Sequence, residues 1–305
     1  MSADFSSLAP LEGGWSGETF LAEAGGERSV VRIYARPGRR GAQAQEVDAA
    51  LLRLVRGLLP VPDVLEVRRA DDATGMPALL VTAFLPGERG DLLLARLDAA
   101  GRERLGARLG GLVADLGGMP MLSPGPFVDG RLGVRAFTDD DGRPVDGLPA
   151  WVGLHEPRLG WWTAGELDGL RQVAVEAQAR LDTVTRHCLV HGDLNPKNVL
   201  LDRVSLELTG LVDWELAHAG HPYTDLGNLL RLERDPAFAD AVLAAYGARR
   251  GARPDDALAL ARAADLWALV ELATRRAENP VAERADRLLR LVATRRDPGA
   301  WDPGV

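Results

Sequence analysis

The sequence predicts an α+β chain in two unequal parts, a mostly β N-terminal unit and a larger, mostly α C-terminal one. Three observations carry that prediction. Up to about residue 86 the apolar residues fall in short runs broken by glycine and proline. From Asp91 onward leucine and alanine recur at helical spacing over most of the chain. Between these regions Ala83-Phe-Leu-Pro86-Gly87 interrupts both patterns. The first domain is therefore read as residues 1–86, with a hinge at about 82–87, and the second as 88–305.

In the first part, Gly13-Gly14-Trp15-Ser16-Gly17 leads into Thr19–Ala22 and Ser29–Tyr34, two strands joined at Gly25-Gly26. A glycine-rich entry of this kind lets backbone N–H groups approach an anion without side-chain interference. It is neither a P-loop nor a Gly-x-Gly-x-x-Gly turn, and by itself it reads equally as a simple turn. Ala42–Leu59 has Val47, Leu51, Leu52, Leu54 and Val55 at helical spacing and ends at Pro60. Val61–Val67 and Ala78–Thr82 read as two further strands.

In the second part, the leucines from Leu92 to Leu116 predict helices broken near Gly101. Residues 119–162 lose periodicity and carry six prolines, an acidic turn at Asp139–Asp141 and Trp151, Trp161 and Trp162. Phe127–Val134 reads as a hairpin tipped by Asp129-Gly130. A long aperiodic stretch that is rich in aromatics reads either as a substrate-shaping insertion or as ordinary surface packing. Ala164–Leu181 is a regular amphipathic helix, and Pro236–Arg295 is helical throughout, with Glu271 and Glu278 read onto one long helix.

Composition narrows the class. Hydrophobic content of 46% with 26% charged residues describes a globular chain, not a disordered one. The single cysteine, Cys188, excludes an intramolecular disulfide and sits in an apolar run, as a buried inert thiol would. No signal-like opening or membrane-length apolar run is visible, so the expected location is the cytoplasm, with no membrane partner. A net charge of −8 without a basic stripe argues against nucleic acid. The same charge would concentrate a cationic substrate, although it also serves plain solubility.

The chemistry lies in Leu189-Val-His191-Gly-Asp193-Leu-Asn195-Pro-Lys197-Asn198-Val-Leu-Leu201, answered by Leu211-Val-Asp213-Trp-Glu215. An Asp and, five residues on, an Asn occupy a polar loop between two apolar strands, and a hairpin-sized gap leads to a second Asp. Phosphoryl transfer from a Mg-nucleotide needs such a set, with one carboxylate for the proton and an amide oxygen plus a second carboxylate for the metal. A polar hairpin turn would explain the loop but not the matched Asp213.

The His-x-Asp-x-x-x-x-Asn spacing resembles the protein-kinase catalytic loop. With Gly192 in place of Arg, and Asp-Trp-Glu at the second site, it resembles more closely the aminoglycoside phosphotransferase and choline kinase-like family. The resemblance implies a bilobal protein-kinase-like fold that binds ATP, with GTP possible in its place, together with Mg²⁺. It assigns Asp193 as catalytic base, Asn198 and Asp213 as metal ligands, His191 and Asp225 as supports of the loop, and Thr82, Ala83 and Phe84 as the hinge beside the adenine. Gly14, Ser16 and Gly17 would cover the phosphates. Arg32 falls where the family's strand lysine is expected, and Glu46 is its candidate helix partner. Glu215 and Glu271 are candidate contacts for a cationic substrate.

The favoured acceptor is a hydroxyl of a small cationic antibiotic, an aminoglycoside or a basic cyclic peptide. The motif is equally compatible with a metabolic kinase of choline, an amino alcohol, a sugar or a glycated amine. An inactive nucleotide-binding scaffold is disfavoured by the intact Asp193, Asn198 and Asp213 and kept open by Arg32. A serine hydrolase fails because Gly14-Trp-Ser16-Gly-Glu18 breaks the Gly-x-Ser-x-Gly pattern. His218 and His221 lack the further ligands of a zinc site, and Gly220 and Pro222 favour a turn.

Overall fold

The computed structural model describes residues 7–11, 18–35, 40–139 and 141–302, which divide into two compact units. The first comprises Met1–Asp98, Pro126–Arg135 and Asn195–Ala217. Its sheet is antiparallel in the order β1–β2–β3–β5–β4, from β1 (Ser7–Pro10), β2 (Glu18–Ala24), β3 (Glu27–Tyr34), β4 (Val64–Arg68) and β5 (Ala78–Ala83). Gly25 and Gly26, both at positive φ, turn the chain between β2 and β3, which pair from Glu18↔Ile33 to Ala24↔Glu27. Helix α1 (Ala44–Val55) packs on β4 and β5. It ends at Val55, short of the expected Leu59, because Gly57 takes positive φ.

The hairpin of β10 (Val199–Leu201) and β11 (Leu208–Leu211) belongs to this first unit, with the two-residue β6 (Glu88–Arg89) on its outer edge. The Leu211 N–H donates to the Pro60 carbonyl at 2.7 Å, which ties the hairpin to the segment before β4. Phe127 and Val134 form an antiparallel bridge around Asp129, whose carboxylate caps the N–H groups of Arg131 and Gly133.

The second unit is Ala99–Gly125, Ala136–Leu194 and His218–Val305. Its core is helical: α3 (Ala99–Leu116) packs along α7 (Pro236–Arg250), α5 (Ala164–Leu181) against α9 (Pro280–Arg295), and α8 (Pro254–Ala273) against both α6 (Thr224–Leu230) and α9. A small sheet in the order β7–β9–β12–β8 completes it, from β7 (Pro120–Met121), β8 (Gly125–Pro126), β9 (His187–Val190) and β12 (His218–Gly220). Among the described residues no helix is long and apolar enough to cross a membrane.

Three sequence expectations are corrected. The helical break lies at Ala95–Asp98, between α2 (Gly90–Leu94) and α3, not at Gly101, which is buried inside α3. The aperiodic stretch contains a helix, α4 (Gly147–His155), which Pro149 tolerates because it sits in the first turn. The Gln178 side chain accepts from the Leu148 N–H at 2.8 Å and holds that turn to α5. Glu278 follows the end of α8 and so does not share a helix with Glu271. The start of α5 is a capping box: the Thr163 hydroxyl accepts from the Glu166 N–H, and the Glu166 carboxylate accepts from the Thr163 N–H.

Candidate active site

In the second unit the apolar strand β9 ends at Val190 and delivers His191, Gly192 and Asp193. Gly192 adopts φ +83, a conformation that a β-carbon would strain. The fully buried Asp225, in the first turn of α6, accepts hydrogen bonds from the N–H groups of His191 (2.8 Å) and Gly192 (2.9 Å). Burial pushes the Asp225 carboxyl above its ordinary range, against the pull of His191 and the two N–H groups. The His191 ring is itself buried and accepts from the Asp193 N–H at 3.3 Å, so Asp193 leaves a braced turn with its side chain part-exposed.

In the first unit, Asn198 is buried at the start of β10 and Asp213 follows β11. The ladder pairs Val199 with Leu211, and the Val212 N–H donates to the Asn198 carbonyl at 3.0 Å. Both residues therefore stand at the same end of one hairpin. Asp213 is at φ 65, ψ 61, the left-handed region that non-glycine residues rarely occupy and that recurs where a side chain is held for function. An amide oxygen and a carboxylate are hard donors. They suit Mg²⁺, which takes one or two protein oxygens alongside phosphate and water.

Arg32, on β3, pairs with Glu215, lies 3.8 Å from Asp213 and lies 4.0 Å from Asp48 of α1. The expected partner Glu46 instead binds Arg69, at 2.5 Å. The reason is helical phase: Asp48 lies on the buried face of α1 with Ala44, Val47, Leu51, Leu52 and Val55, whereas the Glu46 side chain reaches Arg69. Asp48 also accepts from the Tyr34 hydroxyl (2.6 Å) and pairs with Arg40, whose other nitrogen donates to the carbonyls of Trp214 (2.8 Å) and Ala217 (2.7 Å). Arg40 thus ties α1 to the segment that carries Asp213 and Glu215.

Burial lowers the Arg32 guanidinium, but Tyr34, Asp48, Glu215 and Asp213 together raise it above its ordinary value. Burial and then Asp213 raise the Glu215 carboxyl, with Arg32 opposing. Asp48 and Arg40 were not singled out in the sequence. Asp48 was detectable as a lone acid inside the apolar stripe of α1, whereas Arg40 gave no signal.

The remaining site residues are placed as follows. Gly14, Ser16 and Gly17 lie outside the described residues. Thr82 is buried in β5. The Ala83 N–H donates to the Asp63 carbonyl and the Phe84 N–H to the Arg28 carbonyl, and the Arg28 guanidinium also covers the Phe84 ring at 4.1 Å. Donation to a base edge from these two N–H groups would first require breaking those bonds. Glu271 is half-buried on α8, 3.8 Å from Arg275. His218 meets the Phe137 ring edge-on, while the half-buried His221 lies 5.7 Å from the Tyr223 ring, so the two imidazoles serve separate packing sites. Burial raises the Cys188 thiol to about 12, consistent with an inert side chain.

A braced His-Gly-Asp turn and an Asn–Asp pair on one hairpin, within a strand-rich unit and a helical unit, define a phosphotransferase of protein-kinase-like fold. The chain belongs to the phosphotransferase enzyme family, whose model matches residues 7–258. It is 30% identical over 251 residues to an aminoglycoside 3'-phosphotransferase of Streptomyces fradiae, covering 78% of this chain and 87% of that one. It is 32% identical over 208 residues to the aminoglycoside 3'-phosphotransferase of Streptomyces ribosidificus, covering 64% and 70%. A stretch of 48 residues is 40% identical to acyl-CoA dehydrogenase family member 11 of Mus musculus and spans 6% of that protein.

Among solved structures, aminoglycoside 2'-phosphotransferase-IIIa bound to GDP superposes with a TM-score of 0.68 at 19% identity, over 96% of this chain and 94% of that one. A thermostable mutant of aminoglycoside phosphotransferase APH(4)-Ia, in complex with ADP and hygromycin B, gives 0.65 at 19% identity over 98% and 96%. At such identities the likeness establishes the fold.

Proposed function

We propose that this protein transfers the γ-phosphoryl group of ATP to a hydroxyl of an aminoglycoside and so confers resistance to that antibiotic. The observation that carries the reading is the His191–Asp193 turn braced by Asp225 in a chain 30% identical to an aminoglycoside 3'-phosphotransferase over most of both sequences. The same similarity favours an aminoglycoside over a basic cyclic peptide or a metabolite such as choline.

In this reading the Asp193 carboxylate takes the proton of the acceptor hydroxyl as its oxygen attacks the γ-phosphorus. The bond from that phosphorus to the bridging oxygen breaks, and ADP and the O-phosphorylated acceptor leave. Asn198 and Asp213 would hold Mg²⁺, which when bound would neutralise charge on the phosphates. Arg32, positioned by Asp48, contributes a fixed cation on the nucleotide side. Glu215 meets Arg32 directly, so its part is to position that cation, and Glu271 remains the acidic contact proposed for the acceptor. GTP is included as an alternative donor because the 2'-phosphotransferase relative binds GDP.

The test is nucleotide consumption with Mg²⁺ across hygromycin B, other aminoglycosides, a basic cyclic peptide and choline, with product mass checked for one added phosphoryl group. Turnover of an aminoglycoside is expected, and Asp193→Ala should reduce kcat by about 10²- to 10⁴-fold while the ATP KM changes little. Turnover of choline alone would overturn the antibiotic assignment.

A further inference from the structure

Resting on that reading, we propose that Trp151, Trp267, Phe137 and His218 form the wall on which the acceptor lies, and that the wall fits a multi-ring amino sugar. Four separate segments bring these rings together: the loop before α4 supplies Phe137, α4 supplies Trp151, α8 supplies Trp267, and β12 opens with His218. Their centroids follow one another at 5.3 Å (Trp151 to Trp267), 6.3 Å (Trp267 to Phe137) and 5.6 Å (Phe137 to His218). The Trp151 indole N–H donates to the Trp267 carbonyl at 2.8 Å, and the Phe137 carbonyl accepts from the Val145 N–H at 2.9 Å. The first bond holds the Trp151 ring, and the second holds the backbone that carries Phe137.

Packing alone does not account for them. The core aromatics Phe127, Phe238 and Tyr246 are at most 1% exposed, whereas all four wall rings are half-buried. Part-exposed rings in successive contact are the composition of a ligand-binding surface. Its placement within the second unit is equally specific. His218 pairs with Val190 across β9 and β12, and the chain reaches Asp193 three residues beyond Val190. The wall thus begins beside the strand end that delivers the proposed base.

The chemistry follows from the rings. Aromatic faces take the apolar C–H face of a sugar and attract an ammonium group. Glu271 follows Trp267 by four residues on α8, so a carboxylate shares that helix face. Four rings in succession make a surface that a compact cation such as choline would contact at only one point, whereas linked sugar rings can run along it.

The test measures KM and kcat in the full chain for hygromycin B and for choline, with Trp267→Leu, Phe137→Leu and Trp267→Phe. Either leucine change should raise the hygromycin B KM by about tenfold while the ATP KM stays within about twofold, and Trp267→Phe should recover most of the loss. Quenching of tryptophan fluorescence by hygromycin B should weaken in the same order. Turnover of hygromycin B with unchanged KM in both leucine variants would overturn the wall and leave the aminoglycoside kinase standing. A Trp267→Leu loss with lowered melting temperature, no recovery by phenylalanine and a silent Phe137→Leu would reduce the rings to packing. A wild-type protein that turns over choline and no amino sugar would overturn both readings.

Discussion

Arg32 shows how far a single residue can be read from a sequence. Its place on β3 and its cationic role follow from the strand pattern and the family resemblance, but its partner does not. Arg32 pairs directly with Glu215, and of the two acids on α1 it is Asp48 that helical phase turns toward it, at 4.0 Å, while Glu46 is held by the exposed Arg69. The two acids should therefore differ in stability cost. Asp48→Ala leaves Arg40 and Tyr34 without their shared acceptor in a buried site, removes a nearby charge from Arg32, and should cost about 3 kcal/mol. Glu46→Ala removes a surface pair and should cost less than about 1 kcal/mol. Urea unfolding of the two variants checks this, and equal costs would contradict the assignment.

At the scale of elements, the helix pair α3–α7 depends on glycines that the sequence presents as a weakness. Gly101 reads as a helix breaker, yet it and its neighbours Gly106, Gly110 and Gly111 are all buried within α3. A β-carbon on Gly110 would stand 2.2 Å from the Val242 carbonyl oxygen of α7, and one on Gly106 would stand 2.5 Å from that of Phe238. The glycines let two helix backbones approach, a gain that outweighs their low helix propensity. Gly110→Ala, favourable in an isolated helix, should here destabilise by about 2 kcal/mol, read as a lowered melting temperature. Helix α4 went unread for a related reason. Its glycines and Pro149 hide the period, and its place is set by contacts with α5 such as Leu148 to Gln178.

At the scale of the whole molecule, stability should depend on pH through His221. Burial holds its imidazole down at about 4, against an ordinary value of 6.5. The folded state therefore favours the neutral ring. The stability this represents is fully present above pH 6.5 and is lost as pH falls toward 4. Melting temperature measured between these limits should fall, and His221→Gln should flatten that part of the profile.

By itself the sequence determined the chemistry and the class of fold. The spacing of His191, Asp193, Asn198 and Asp213 is local, and strand and helix periods survive in one dimension, so both could be read directly. Residues that act through distant partners could be read only in part. Asp48 and Arg40 join Arg32 through a helix face and a long reach to the Trp214 and Ala217 carbonyls. Phe137, Trp151, Trp267 and His218 come from four segments of the chain and gain a common meaning only once those segments pack. The tertiary structure decided these because hydrogen bonds, ion pairs and ring contacts depend on distance in space, which chain order does not record.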